Sequence, residues 1–165
     1  MFENQVKKVF LGVGSNLGNR QKNIELSKIA LTNSGIKILK SSSFYESLSW
    51  PDPKKPKFLN IVLEIETTIH PISLLKICKK IEKSLGRKIS TINSPRICDI
   101  DILDYGNKVM NNGINLPHPR MHQRNFVLIP LFEIRKKWLH PKSKNHIKTL
   151  ISKLSNKDIT SIKQI

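Results

Sequence analysis

The sequence contains one alanine, six valines and two cysteines, against 23 isoleucines. The cysteines, Cys78 and Cys98, are too few for a disulfide framework, and they form no C-x-x-C pair of the kind that binds zinc. Cys78 falls at helical spacing among Leu74, Leu75, Ile77 and Ile81, which predicts core filler. No apolar run approaches the ~20 residues that a membrane span needs. After Lys7-Lys8 the apolar stretch Val9-Phe10-Leu11 stops at Gly12, short of the ~7–15 residues of a secretory signal. These absences predict a soluble, cytoplasmic protein, and 165 residues predict one domain over 1–165.

Acidic residues are scarce too: 12 against 29 lysines and arginines, a net charge of +17. That balance suits anionic partners, nucleic acid among them. Yet 23 of the 29 are lysines scattered along the chain, in step with the skew to isoleucine. A solvated lysine-rich surface is the favoured reading, with a polyanion-binding surface left open.

Val6 to Val13 reads as a strand running into Gly12-Val13-Gly14-Ser15-Asn16. A helix is expected from Asn19 with a stop at Asn33-Ser34-Gly35, then a second strand from Ile36 through Phe44-Tyr45. The loop Ser49 to Pro56 carries three prolines and cannot join a sheet interior. Phe58 to Ile69 alternates, with Leu59, Ile61, Leu63 and Ile65 on one face, and predicts a half-buried strand. Pro71 opens a helix that Gly86 ends. Cys98 to Tyr105 reads as a strand, and 106–114 suggests a hairpin. Phe126 to Ile134 reads as a helix with Pro130 in an early turn, and Ile147, Leu150, Ile151 and Leu154 as one weak helical stretch. The order β-α-β-β-α-β predicts an α+β, ferredoxin-like sandwich: an antiparallel sheet with helices on one face, plus a hairpin and C-terminal helical additions.

Within the strand at 98–105, Asp99 and Asp101 share a face, about 7 Å apart along the chain. Two carboxylates so placed repel unless a cation lies between them, and Mg²⁺ takes one or two carboxylates together with substrate phosphates. An isolated D-x-D could equally be two surface acids. The distribution of arginine decides between the two. Only six arginines exist, yet Arg87, Arg96, Arg120 and Arg124 all lie within 87–124, as do three of the five aspartates, Asp99, Asp101 and Asp104. Arginine's planar fork grips phosphate oxygens in two places, which lysine does not. A metal-assisted polyphosphate clamp is therefore expected here. His118 sits between Pro117 and Pro119, its backbone nearly fixed and its imidazole free to face a ligand. The other histidines show no mutual metal spacing. Gly12-Val13-Gly14-Ser15-Asn16-Leu17-Gly18 lacks the G-K-[ST] ending of a P-loop, and a tight structural turn is the expected role.

Several segments together resemble the 6-hydroxymethyl-7,8-dihydropterin pyrophosphokinases. They are Phe10 to Gly18, Ser43-Phe44-Tyr45-Glu46, Phe58-Leu59-Asn60, Pro95 to Leu103 and Leu116 to Leu128, in the family's order and near its spacing. The resemblance, over about residues 8 to 135, implies transfer of the pyrophosphate of ATP to the hydroxymethyl group of the pterin, giving AMP, a step of folate synthesis. It implies two Mg²⁺ held by Asp99 and Asp101. It implies ATP contacts from Glu82, Arg87, Arg96, Ile102, His118 and Arg124, with Arg87 and Arg96 acting in catalysis. It implies that Phe58 and Phe126 sandwich the pterin, with Asn60 and the backbone around Ser47 and Leu48 at its edge.

The sequence departs from the family at 88–94, which is shorter and lacks a tryptophan the family carries before the proline. The segment 48–53 departs as well, and Trp50 is a candidate to cover the pterin instead. A member that binds pterin yet turns over slowly is one alternative. An RNA-binding module on a similar sheet is another, although acids on the fourth strand speak against nucleic acid. A monomer with small-molecule substrates and no membrane partner is expected.

Overall fold

The computed structural model describes residues 5–165. In chain order it contains β1 (Lys7–Ser15), α1 (Arg20–Asn33), β2 (Lys37–Ser41), β3 (Tyr45–Ser47), β4 (Phe58–Thr67), α2 (Pro71–Ser84) and β5 (Asp99–Tyr105). A 3-10 turn (Met121–Gln123), α3 (Asn125–Ile134), α4 (Ile147–Ser152), α5 (Asn156–Ser161) and β6 (Lys163–Gln164) follow. All strand pairs are antiparallel, in the order β5-β1-β4-β3-β6, with β2 also on β4. This is the expected βαββαβ core, its second strand broken in two between Ser41 and Tyr45.

Local chemistry sets the helix ends. Asn19 caps α1 by accepting from the Lys22 N–H, and the His70 ring caps α2 ahead of Pro71. The turns after both helices reach glycines with positive φ, Gly35 at 82° and Gly86 at 102°, where a side chain would be strained.

Helices α1 and α2 cover one face of the sheet, where Ile24, Leu31, Leu74, Cys78 and Ile81 pack on Leu11, Ile61, Leu63 and Ile100. The two helices of the βαββαβ core thus share one face, as expected, and the C-terminal helical additions take the other. α3 and α4 bury the other face, setting Val127, Leu128, Leu131, Ile147 and Leu150 against Phe10, Val62 and Leu103. For the same reason β4 is not half-buried: Asn60 and Glu64 are as inaccessible as their apolar neighbours, and the Glu64 carboxylate is held by Arg135.

Three smaller readings change. Segment 106–116 forms no hairpin strand on β5, only a bridge between Met110 and Leu116. Pro130 lies at the sixth residue of α3, not in an early turn. The single C-terminal stretch is two short helices, and β6, which no local pattern announced, pairs with β3. No helix among the described residues is long and apolar enough to cross a membrane.

Candidate active site

The centre of the sheet carries two positions without side chains. Gly12 and Gly14 lie inside β1, not in a turn, opposite Asp101 and Asp99 on β5 and opposite Val62 and Asn60 on β4. A Cβ on Gly14 would stand 2.9 Å from Asn60 Oδ1 and 3.4 Å from Phe58 Cδ1. Glycine in a strand interior marks a close approach. Here it flattens the floor of a cleft on the α3 side of the sheet. Alternation along β5 sets Asp99, Asp101 and Leu103 beside this cleft while Ile100 and Ile102 enter the helical core, and a register shift opposite Phe10 and Leu11 leaves Leu103 as an extra residue.

The cleft brings together most of the residues expected from sequence. Ser47, Leu48, Phe58, Asn60 and Phe126 line one part of it, and Arg87, Arg96, Asp99, Asp101, His118 and Arg124 the other. Arg87 Nη1 lies 3.0 Å and Arg96 Nη1 3.3 Å from Asp99 Oδ1. Arg124 Nη1 lies 3.5 Å from Asp101 Oδ2. Asn60 Nδ2 donates to Ser47 Oγ at 2.9 Å, tying the adjacent strands together at the floor.

The charges are unevenly matched. Burial, and next the charge of Asp99, push the Asp101 carboxyl up to about 6, with Arg124 opposing. Burial, then Arg124 and Arg120, push His118 down to about 4, so its ring is neutral near pH 7. Its approach to Asp101 Oδ2 at 3.9 Å is therefore not an ion pair despite the distance. His118 Nδ1 accepts from the Arg120 N–H, which leaves the proton on Nε2, the nitrogen nearer Asp101.

Three expected members stand elsewhere. Glu82 is buried behind the cleft, where it accepts from the Ile100 N–H at 2.7 Å, from Lys79 and from Arg87. The Ile102 side chain packs into the helical core. Asp104, grouped by sequence with the clamp, is buried and accepts from Trp138 Nε1 at 2.8 Å and the Asn107 N–H at 2.9 Å. Its role is internal to the second core.

Two residues at the site, Lys79 and Asn16, escaped the sequence, whereas Arg120 belongs to the arginine cluster expected there. Lys79 lines the cleft from α2, and Arg120 lies over the exposed Trp50 ring at the rim, 5.3 Å from its centroid. Asn16 is buried and bonds to two loops. The two-residue spacing of Gly12 and Gly14 inside a β-branched run was a usable signal for the floor. Nothing in the spacing marks Asn16.

Among the described residues no group of three or more His, Cys, Asp or Glu side chains is arranged to hold a metal ion by itself. The pair Asp99–Asp101 nonetheless fits Mg²⁺. Two carboxylates on one face of β5, one of them pushed up by burial and next by the charge of the other, form an oxygen donor set of the size that Mg²⁺ uses when substrate phosphates and water complete its shell.

Comparison with known proteins adds four findings. A family described as 7,8-dihydro-6-hydroxymethylpterin-pyrophosphokinase (HPPK) matches residues 10–136. A 2-amino-4-hydroxy-6-hydroxymethyldihydropteridine pyrophosphokinase of Aquifex aeolicus is 40% identical over 134 residues, covering 81% of this chain and 83% of the relative. The folic acid synthesis protein fol1 of Pneumocystis carinii is 39% identical over 155 residues, covering 93% of this chain and 21% of that longer protein. In fold, the chain matches a crystal structure of Plasmodium falciparum HPPK-DHPS with a TM-score of 0.72 at 15% identity, over 92% of this chain and 45% of that one.

Proposed function

Since the chain belongs to the 7,8-dihydro-6-hydroxymethylpterin-pyrophosphokinase family, we propose that it transfers the pyrophosphoryl group of ATP to the hydroxymethyl group of 6-hydroxymethyl-7,8-dihydropterin in folate synthesis. The substrate oxygen bonds to the β-phosphorus, the bond from that phosphorus to the α-phosphate oxygen breaks, and AMP leaves while the hydroxyl proton is released. One observation carries this reading: a single cleft joins an aromatic, amide-edged half to a half lined by paired carboxylates and arginines.

In this reading Phe58 and Phe126 hold the flat faces of the pterin, and Asn60 with the backbone of Ser47 and Leu48 meets its edge. Asp99 and Asp101 would hold two Mg²⁺, which when bound neutralise phosphate charge and align the polyphosphate. Arg87, Arg96 and Arg124 grip phosphate oxygens, and neutral His118 offers its Nε2–H. Glu82 acts at one remove, bracing Arg87 from behind. Catalysis then rests on positioning and charge, with no covalent nucleophile. We take residues 1–165 as one such domain, monomeric and cytoplasmic, with ATP and the pterin as its substrates.

The test is to mix protein, ATP, Mg²⁺ and 6-hydroxymethyl-7,8-dihydropterin and measure AMP. Asp99→Asn and Asp101→Asn should each abolish AMP formation while leaving the circular dichroism spectrum unchanged. Normal turnover in either variant would refute the metal assignment.

A further inference from the structure

Asn16 lies just beyond the end of β1, 4% exposed, and its polar groups are divided between the two loops that flank the cleft. Its Nδ2 donates to Pro56 O at 3.1 Å and to Ser49 Oγ at 3.3 Å, at the two ends of the proline loop that follows Ser47 and Leu48. Its Oδ1 accepts from the Arg96 N–H at 2.7 Å, and its own N–H donates to Arg96 O at 3.1 Å. One small side chain thus holds the loop beside the pterin half and the residue that grips phosphate in the other half. A second strut runs parallel to it: Lys55 Nζ donates to Asn93 O at 2.9 Å, again from the first loop to the second.

Neither loop has a sheet to hold it. Residues 48–57 and 88–98 contain no strand, so these cross-loop bonds are the named polar ties between them. A bond network with one member on each side transmits order. When a ligand fixes one loop, the entropy of fixing the other has already been spent, and the second ligand binds more tightly. Asn16 is the buried part of that network, where an amide left without partners is costly and its geometry is correspondingly firm.

We infer that Asn16 is a positioning residue that couples the pterin half of the cleft to the nucleotide half, so that each ligand tightens the binding of the other through it. The inference rests on the assignment of the two halves made above. It concerns a residue that touches neither substrate in that assignment and acts through Ser49, Pro56 and Arg96.

Calorimetry on the full chain tests it, with α,β-methylene-ATP plus Mg²⁺ as one probe and 6-hydroxymethylpterin as the other, each titrated alone and in the presence of its partner. The wild-type protein should show mutual tightening of roughly 5–150-fold. Asn16→Asp keeps an acceptor for the Arg96 N–H but sets a carboxylate oxygen against the Pro56 carbonyl. It should leave the nucleotide Kd measured alone within about 3-fold of wild type while mutual tightening falls below about 2-fold. A merely structural asparagine would weaken both single-ligand affinities and leave their ratio intact. Should Asn16→Asp not melt cooperatively, Ser49→Ala removes the same cross-loop acceptor from the other side and should also lower the ratio. An undiminished ratio in a folded variant, or no mutual tightening in the wild type, overturns the coupling role alone. Wild-type protein that binds neither probe overturns the assignment of the cleft instead.

Discussion

Replacing Glu82 by alanine removes three interactions from one buried carboxylate, and their sizes can be separated. The side chain is 2% exposed. Its Oε1 accepts from the Ile100 N–H at 2.7 Å, a donor on the outer edge of β5, which among the described residues is the terminal strand of the sheet. Leaving that N–H unpaired costs about 1.5–3 kcal/mol, the range for a hydrogen bond to a charged group. The ion pairs with Arg87 and Lys79 count for less, because those side chains are 29% and 49% exposed and water screens them; together they add about 0.5–1 kcal/mol. The total, about 2–4 kcal/mol, lowers Tm by roughly 6–12 °C for a chain of 165 residues at ~2.1 cal/mol/K per residue. Glu82→Gln keeps the acceptor for Ile100 but presents an amide to Arg87, and should lose about half as much. Arg87 loses its brace in both variants and is left with Asp99, so kcat should fall in both. Differential scanning calorimetry and AMP release measure the two effects. An alanine variant that melts within about 2 °C of wild type and turns over normally would refute the idea that Glu82 positions β5 and Arg87.

The floor of the cleft predicts that Gly14→Ala, whose Cβ would press on an Asn60 amide already tied to Ser47, lowers kcat/KM for the pterin by up to about 100-fold. Retention of wild-type kcat/KM would show that the floor tolerates a side chain. Burial pushes both the Cys78 and Cys98 thiols up to about 12, so at pH 8 only about one in 10⁴ is ionised, and iodoacetamide should modify neither until the protein unfolds. Rapid labelling of the native protein would contradict that burial. Trp50 is 60% exposed at the rim while Trp138 is buried on Asp104, so a change in emission on pterin binding should vanish in Trp50→Phe. Unchanged pterin affinity in Trp50→Ala would sink the idea that this ring covers the pterin.

What could be read from the sequence was local. Pro71 and Gly86 bracket α2 because a fixed φ suits a first turn and a positive φ suits a stop, and both properties belong to single residues. Asp99 and Asp101 share a face for the same local reason, and the crowding of arginine nearby gave that pair its chemistry. What was missed depends on distant partners. Alternation in β4 suggested one wet face, but α3, which begins 58 residues after the strand end at Thr67, covers it. Asp104 looked like a third acid of the clamp until Trp138 supplied the donor that makes it internal. Asn16 meets partners 33, 40 and 80 residues away, and no window on the sequence contains them.

The pairing of β6 with β3 has a consequence for the order in which the protein is made. Ser47 stands at the end of β3, and the far edge of that strand is met by Lys163 and Gln164, with the Ile165 N–H donating to Phe44 O. A ribosome therefore delivers β1, β4 and β5, and with them both aspartates, well before it delivers the residues that pair with the far edge of β3. During that interval β3 is an open edge, able to pair with another nascent chain. The half lined by Asp99 and Asp101 can assemble while the chain is still emerging; the wall that β3 forms waits for residues 163–165.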